Sequence, residues 1–131
     1  MKLKTSDGGR AVYFKGTTND CVVRAICNAT CRDYKIVYNE LYNIQGYSPR
    51  KGVNSKIAKT YIEKILGLKW HSCMNIGKGC TIHLKSEELP TGVLIVRLSK
   101  HLTCVINGVL YDTYDCSRNG TRCVYGYWSY D

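Results

Sequence analysis

Read for hydrophobic periodicity, the chain changes character near Gly67. Before that point apolar residues recur at spacings of three and four; beyond it they alternate or run together. Residues 10–15 read as an extended lead-in, and Gly16, Thr17, Thr18, Asn19 and Asp20 form a loop of turn and capping types. A helix is predicted over 21–30, with Val22, Ile26 and Ala29 on one face and Asn19 or Asp20 set to cap it. A second helix is predicted from the N-cap Asp33 to about residue 43, packed through Tyr34, Ile36, Val37, Tyr38, Leu41 and Tyr42. Gly46, Pro49 and Gly52 break the chain. A third helix then starts at the cap Asn54 or Ser55, with Ile57, Ala58, Tyr61, Ile62, Ile65 and Leu66 on its inner face, and stops at Gly67.

The second half reads as strands. Residues 68–73 and 81–84 are short candidates, and 93–98 is a continuous β-branched apolar run that suggests a central strand covered on both faces. Segments 101–106 and 109–114 flank Asn107-Gly108, the dipeptide of a tight hairpin turn. A last strand is predicted over 123–129. Helices first and an antiparallel sheet second make the class α+β, N-terminal helices packed on a C-terminal sheet. The length fits one domain, 1–131.

Composition narrows the partners. Nineteen Lys and Arg against ten Asp and Glu leave a net charge of +9, a field that draws anionic partners. Nucleic acid, an anionic membrane or an acidic protein would each qualify, but the basic residues are spread from Lys2 to Arg122 without a run of five, so specific nucleic-acid binding is possible but not favoured. No apolar run approaches a membrane span, and the start has no signal-peptide pattern, so a cytoplasmic protein with no membrane partner is expected. In such a compartment the eight cysteines are expected to be metal ligands, catalysts or buried small hydrophobes, with a disulfide framework disfavoured. The best metal candidate is a zinc set of His71, Cys73, Cys80 and His83, set against the alternative of no metal and no cofactor.

Cys21, His101 and Asp112 carry the informative chemistry. A thiol at a helix start is activated by unpaired N–H groups, and its base must be a histidine brought near in space. With Asn107 and Gly108 as the turn, Thr103 sits opposite Asp112, and His101 lies on the same face as Asp112, diagonally displaced. Asp115 would fall on the other face. Asp112 is therefore the carboxylate able to hold the His101 tautomer.

The chain resembles papain-like cysteine peptidases, and among them small phage and prophage proteins. The resemblance rests on Asn19 to Ala25, on His101 to Asp115 and on Thr121 to Trp128. It implies a minimal papain-like fold, with Cys21 as nucleophile, His101 as general base and Asp112 as orienting acid. The implied activity is a cysteine-dependent hydrolase, a peptidase or a related deamidase, acyltransferase or remover of ubiquitin-like modifiers, acting in the host-cell cytoplasm through an acyl-enzyme. The family places a Gln about six residues before the nucleophile; here that position is Lys15, and Asn19 is the candidate oxyanion donor beside the backbone N–H of Cys21. The aromatic tail, Tyr125, Tyr127, Trp128 and Tyr130, either packs in the core, the commoner place for aromatics in a terminal strand, or lines a specificity pocket. The alternative function is a catalytically inactive relative whose basic surface engages nucleic acid or a host factor.

Overall fold

A computed structural model describes residues 1–131. In chain order it contains strand β1 (Lys2–Thr5), helices α1 (Arg10–Tyr13), α2 (Cys21–Thr30), α3 (Tyr34–Gln45) and α4 (Ser55–Thr60), and strands β2 (Lys69–Ser72), β3 (Met74–Asn75) and β4 (Gly79–Cys80). Strands β5 (Val93–Leu98), β6 (His101–Ile106), β7 (Val109–Asp112) and β8 (Gly126–Ser129) complete it. Six strands form one sheet in the order β1-β7-β6-β5-β8-β2, and β3 and β4 make a separate ribbon. The architecture is α+β with a mostly antiparallel sheet.

The alternation in β5 explains its central place. Ile95 faces the helices, in a core with Val23, Ile26, Val37, Leu41, Tyr61 and Trp128. Leu94, Val96 and Leu98 face the opposite side, where Leu84, Leu110 and Val124 close a second core. Over Leu94–Val96 the strand is buried on both faces and carries no polar residue, as expected of a central strand, whereas Arg97 near its end is exposed. At the edge, Trp70 of β2 lies so close to β8 that a Cβ on Gly126 would sit 2.2 Å from its ring, so no side chain fits there.

Helix α2 has the predicted bounds, and its Val22, Val23, Ala25, Ile26, Cys27 and Ala29 are buried. Asp33 caps α3 by accepting from the Ile36 N–H at 3.3 Å. On that helix Tyr34, Val37 and Leu41 are buried, whereas Ile36 and Tyr42 face out, because a spacing of three and four gives one narrow inner stripe. Asn54 caps α4, which continues as a π-turn over Tyr61–Ile65. The wider turn moves Ile65 off the inner face, leaving it 44% exposed against the expectation.

Five further expectations are corrected. Of residues 10–15, Arg10–Tyr13 are helical and the chain is extended only from Phe14: Asp7 accepts from the N–H groups of Gly9 at 2.9 Å and Ala11 at 3.1 Å and so starts α1, which turns Arg10 inward. The sheet is not wholly antiparallel, since β1 runs parallel to β7, with Lys2 opposite Val109 and Thr5 opposite Asp112. Residues 81–84 hold one isolated bridge, His83 to Cys123, in place of a strand, and the last strand begins at Gly126. Finally, Cys80 and Cys123 form a disulfide with Cα atoms 5.8 Å apart, strapping the β3–β4 ribbon to the segment before β8.

Candidate active site

The β6–β7 hairpin has the register expected of a two-residue turn: Ile106 pairs with Val109, Val105 with Leu110 and Cys104 with Tyr111. One step further along, the Thr103 hydroxyl donates to Asp112 Oδ2 at 2.7 Å. His101, on the same face, brings Nε2 to 2.8 Å from that oxygen. The other carboxylate oxygen accepts from the Thr113 N–H at 2.7 Å and faces Arg24 Nη2 at 3.5 Å. Asp112 is 3% exposed. Burial opposes its charge, but the hydrogen bonds from His101 and Thr103, the His101 charge and the Thr113 N–H hold its pKa below the usual carboxylate value.

The same exchange acts on the imidazole. Burial favours the neutral ring, yet the Asp112 hydrogen bond, with contributions from Cys116, Cys21 and the Asp112 charge, pushes the His101 pKa up to about 11. Because Nε2 is engaged by Asp112, Nδ1 is the nitrogen left for chemistry.

Cys21 is the first residue of α2 and a half-buried free thiol. Burial raises its pKa, but the His101 imidazole, the Leu102 backbone and the Arg24 charge outweigh burial and lower it. Two other free thiols, where burial and nearby negative charge act together with nothing to oppose them, show the contrast: Cys27 and Cys104 are each pushed up to about 12. Cys21 and His101 meet because α2 packs across β6, where Ile26 and Cys27 share a core with Leu102 and Cys104.

Of the two candidate caps, Asn19 and Asp20, it is Asp20 that occupies the N-cap position directly before Cys21. Its side chain caps nothing. It is fully buried, with Arg24 Nη1 at 2.6 Å and Arg10 Nη1 at 3.2 Å on Oδ1 and the Tyr34 hydroxyl at 2.6 Å on Oδ2. Arg24 thus bridges Asp20 to Asp112 and fixes the turn that carries Cys21 relative to the hairpin.

Two contributors lay outside the sequence reading. Arg24 is one; its spacing of four from Asp20 was the available signal. Cys116 is the other: it is buried, with its thiol 3.5 Å from Asp112 Oδ2. His101, Asp112 and Cys116 present donor atoms within 4.8 Å of one another, a set of metal-ligating types. His101 and Cys116 both converge on Asp112 Oδ2, so the cluster also stands as a hydrogen-bonded unit.

The zinc set is not gathered. His71 stacks on Tyr127 and shares a hydrogen bond with Ser129, Cys80 is bonded to Cys123, and His83 pairs with Glu88 at 3.2 Å. Sequence proximity misled here because the ribbon and the bridge at His83 send these side chains to different partners. Asn19 does border Cys21 and His101, whereas exposed Lys15 does not. From the aromatic tail, Tyr125 and Trp128 line the site, Tyr127 covers His71 and Tyr130 is exposed. Asp115 lies beyond the end of β7 and binds Ser117.

Two clefts meet at this site, and both are bordered by Asn19, Cys21, Lys100 and His101. One, of about 260 Å³, is walled by Val22, Val53, Ala58, Leu98, Leu102 and Trp128. The other, of about 330 Å³, is polar, with Thr17, Thr18, Thr113 and Tyr114 in its wall. A carbonyl carbon laid across Cys21 would have room for a substituent on each side. Comparison with protein-family models, curated proteins and solved structures finds no match for the chain. No helix is long and apolar enough to cross a membrane.

Proposed function

We propose that this protein is a small cysteine-dependent amide hydrolase of papain-like design, working through Cys21, His101 and Asp112. The observation that carries the reading is the 2.8 Å bond from His101 to buried Asp112, made while the same imidazole lowers the pKa of Cys21. A thiolate beside an imidazolium is the resting state such chemistry requires.

The Cys21 thiolate attacks the scissile carbonyl carbon, and the displaced π pair becomes an oxyanion. Asn19 and the backbone N–H of Cys21 are the donors offered to that oxygen. Collapse breaks the C–N bond, and the leaving amine takes its proton from His101, giving a thioester on Cys21. Water then yields a proton to His101 and adds to the thioester; collapse releases the acid and restores the thiolate. Asp112 stays ionised throughout and stabilises the imidazolium. A protein or peptide is the substrate, and peptidase, deamidase and acyltransferase outcomes differ in the leaving group and in what resolves the thioester.

Site-mapped alkylation by iodoacetamide between about pH 5 and pH 9 tests the reading. Cys21 should react well below the range of an ordinary thiol near 8.5. His101→Ala should slow it at least tenfold at about pH 6.5, since each unit of pKa recovered removes about tenfold of thiolate. An ordinary profile at Cys21, indifferent to His101, would overturn it.

A further inference from the structure

No Asp or Glu lines either cleft, whereas Arg10, Arg24, Arg97 and Lys100 do. Two of these cations are matched inside the protein, Arg10 by Asp20 and Arg24 by Asp20 and Asp112. Arg97 and Lys100 are different: both are exposed and neither joins an ion pair. Arg97 lies near the end of β5 and Lys100 in the turn to β6, directly before His101, and Lys100 borders both clefts. The mouth of the site is therefore a place of unmatched positive charge beside an apolar wall formed by Val22, Val53 and Trp128.

Resting on the hydrolase reading, we propose that the site selects a substrate with a carboxylate next to the scissile carbonyl and an apolar group against Trp128, with Arg97 and Lys100 as the residues that read the carboxylate. An acidic peptide fits this description, its charge coming either from a side chain or from a free chain end. A cleft of about 260 Å³ takes one or two side chains, and two unmatched cations are too few to track a phosphate backbone, so peptide is favoured over nucleic acid.

The test compares iodoacetate with iodoacetamide at Cys21, using peptide mapping and exposed Cys31 as an internal reference. The two reagents make the same S–C bond and release the same iodide, but only iodoacetate carries a carboxylate. The iodoacetate-to-iodoacetamide ratio should be higher at Cys21 than at Cys31. The His101 imidazolium contributes to that ratio, so the decisive measurement is its change in Arg97→Gln and Lys100→Gln. Each should lower it about fivefold, the effect of one unit charge a few ångströms away in water, and Lys100→Glu should lower it further.

Protection of Cys21 from iodoacetamide then identifies the source of the carboxylate. Acetyl-leucyl-glutamyl amide carries a side-chain carboxylate, acetyl-leucyl-alanine a terminal one and acetyl-leucyl-alanyl amide none; protection by either acid above the neutral compound supports the proposal. A fast, His101-dependent Cys21 whose ratio ignores Arg97 and Lys100 overturns the proposal and leaves the hydrolase reading standing. Protection by a short oligothymidylate alone also overturns it, and an unreactive Cys21 overturns both.

Discussion

Replacing Asp20 by Asn separates two roles that one residue can play at a helix start. Asn is as good an N-cap as Asp, so a capping role predicts a change of no more than a few tenths of a kcal/mol. The geometry predicts far more. Asp20 is fully buried, and its carboxylate holds Arg24 at 2.6 Å, Arg10 at 3.2 Å and the Tyr34 hydroxyl at 2.6 Å. Both arginine side chains are only 9% exposed, so water cannot take over from the missing charge. The amide that replaces one oxygen also turns an acceptor into a donor facing donors. Breaking a buried pair in this way costs about 3–5 kcal/mol. Arg24 keeps Asp112 at 3.5 Å, which sets the expected loss near the lower end, about 3 kcal/mol. For a chain of this size that is a fall in Tm of about 10–15 °C.

Guanidinium denaturation with the slope held in common measures the loss directly. Adding Arg10→Met to Asp20→Asn should recover part of it, because the double variant no longer buries an unmatched cation. A loss below about 1 kcal/mol, or no recovery in the double variant, would refute the ion-pair account and restore the capping role.

The remaining expectations concern the site and the strap. Asp112→Asn should slow Cys21 alkylation at about pH 6.5 at least tenfold and hydrolysis by about 10²–10⁴, because His101 loses the partner that keeps it charged. The pH dependence of stability follows with a definite sign. The folded pKa of His101 is raised from 6.5 to about 11, so its contribution is complete below 6.5 and lost as pH climbs through 11. Asp112 is lowered from 3.8, so its contribution is present above that value and lost in acid. Thermal melts from acid to alkali should show both flanks in the wild type, with the alkaline one flattened in Asp112→Asn. Asn19→Ala should cost hydrolysis about 10²–10³ and alkylation much less, since alkylation at a saturated carbon builds no oxyanion. Reducing the Cys80–Cys123 bond, which closes a separation of 43 residues, should lower stability by about 2–4 kcal/mol, read as a shift of the denaturation midpoint between oxidised and reduced protein.

What the sequence determined by itself is what depends on near neighbours. Asn107-Gly108 dictates a two-residue turn, a two-residue turn dictates the register, and the register puts His101 and Thr103 on the face of Asp112. The 3.6-residue repeat after Asp20 likewise marks α2 and puts Cys21 at its start. The tertiary structure decided the rest. Strand β1 is exposed along its whole length, so no hydrophobic pattern announces it or its parallel pairing. The roles of Asp20, Arg24 and Cys116 arise from partners contributed by other elements. The disulfide and the scattering of the four zinc candidates follow from how the ribbon meets the segment before β8. Periodicity and turn chemistry are local energies that can be read residue by residue. Which elements then touch is settled by burying both faces of one sheet at once, a condition on the whole chain.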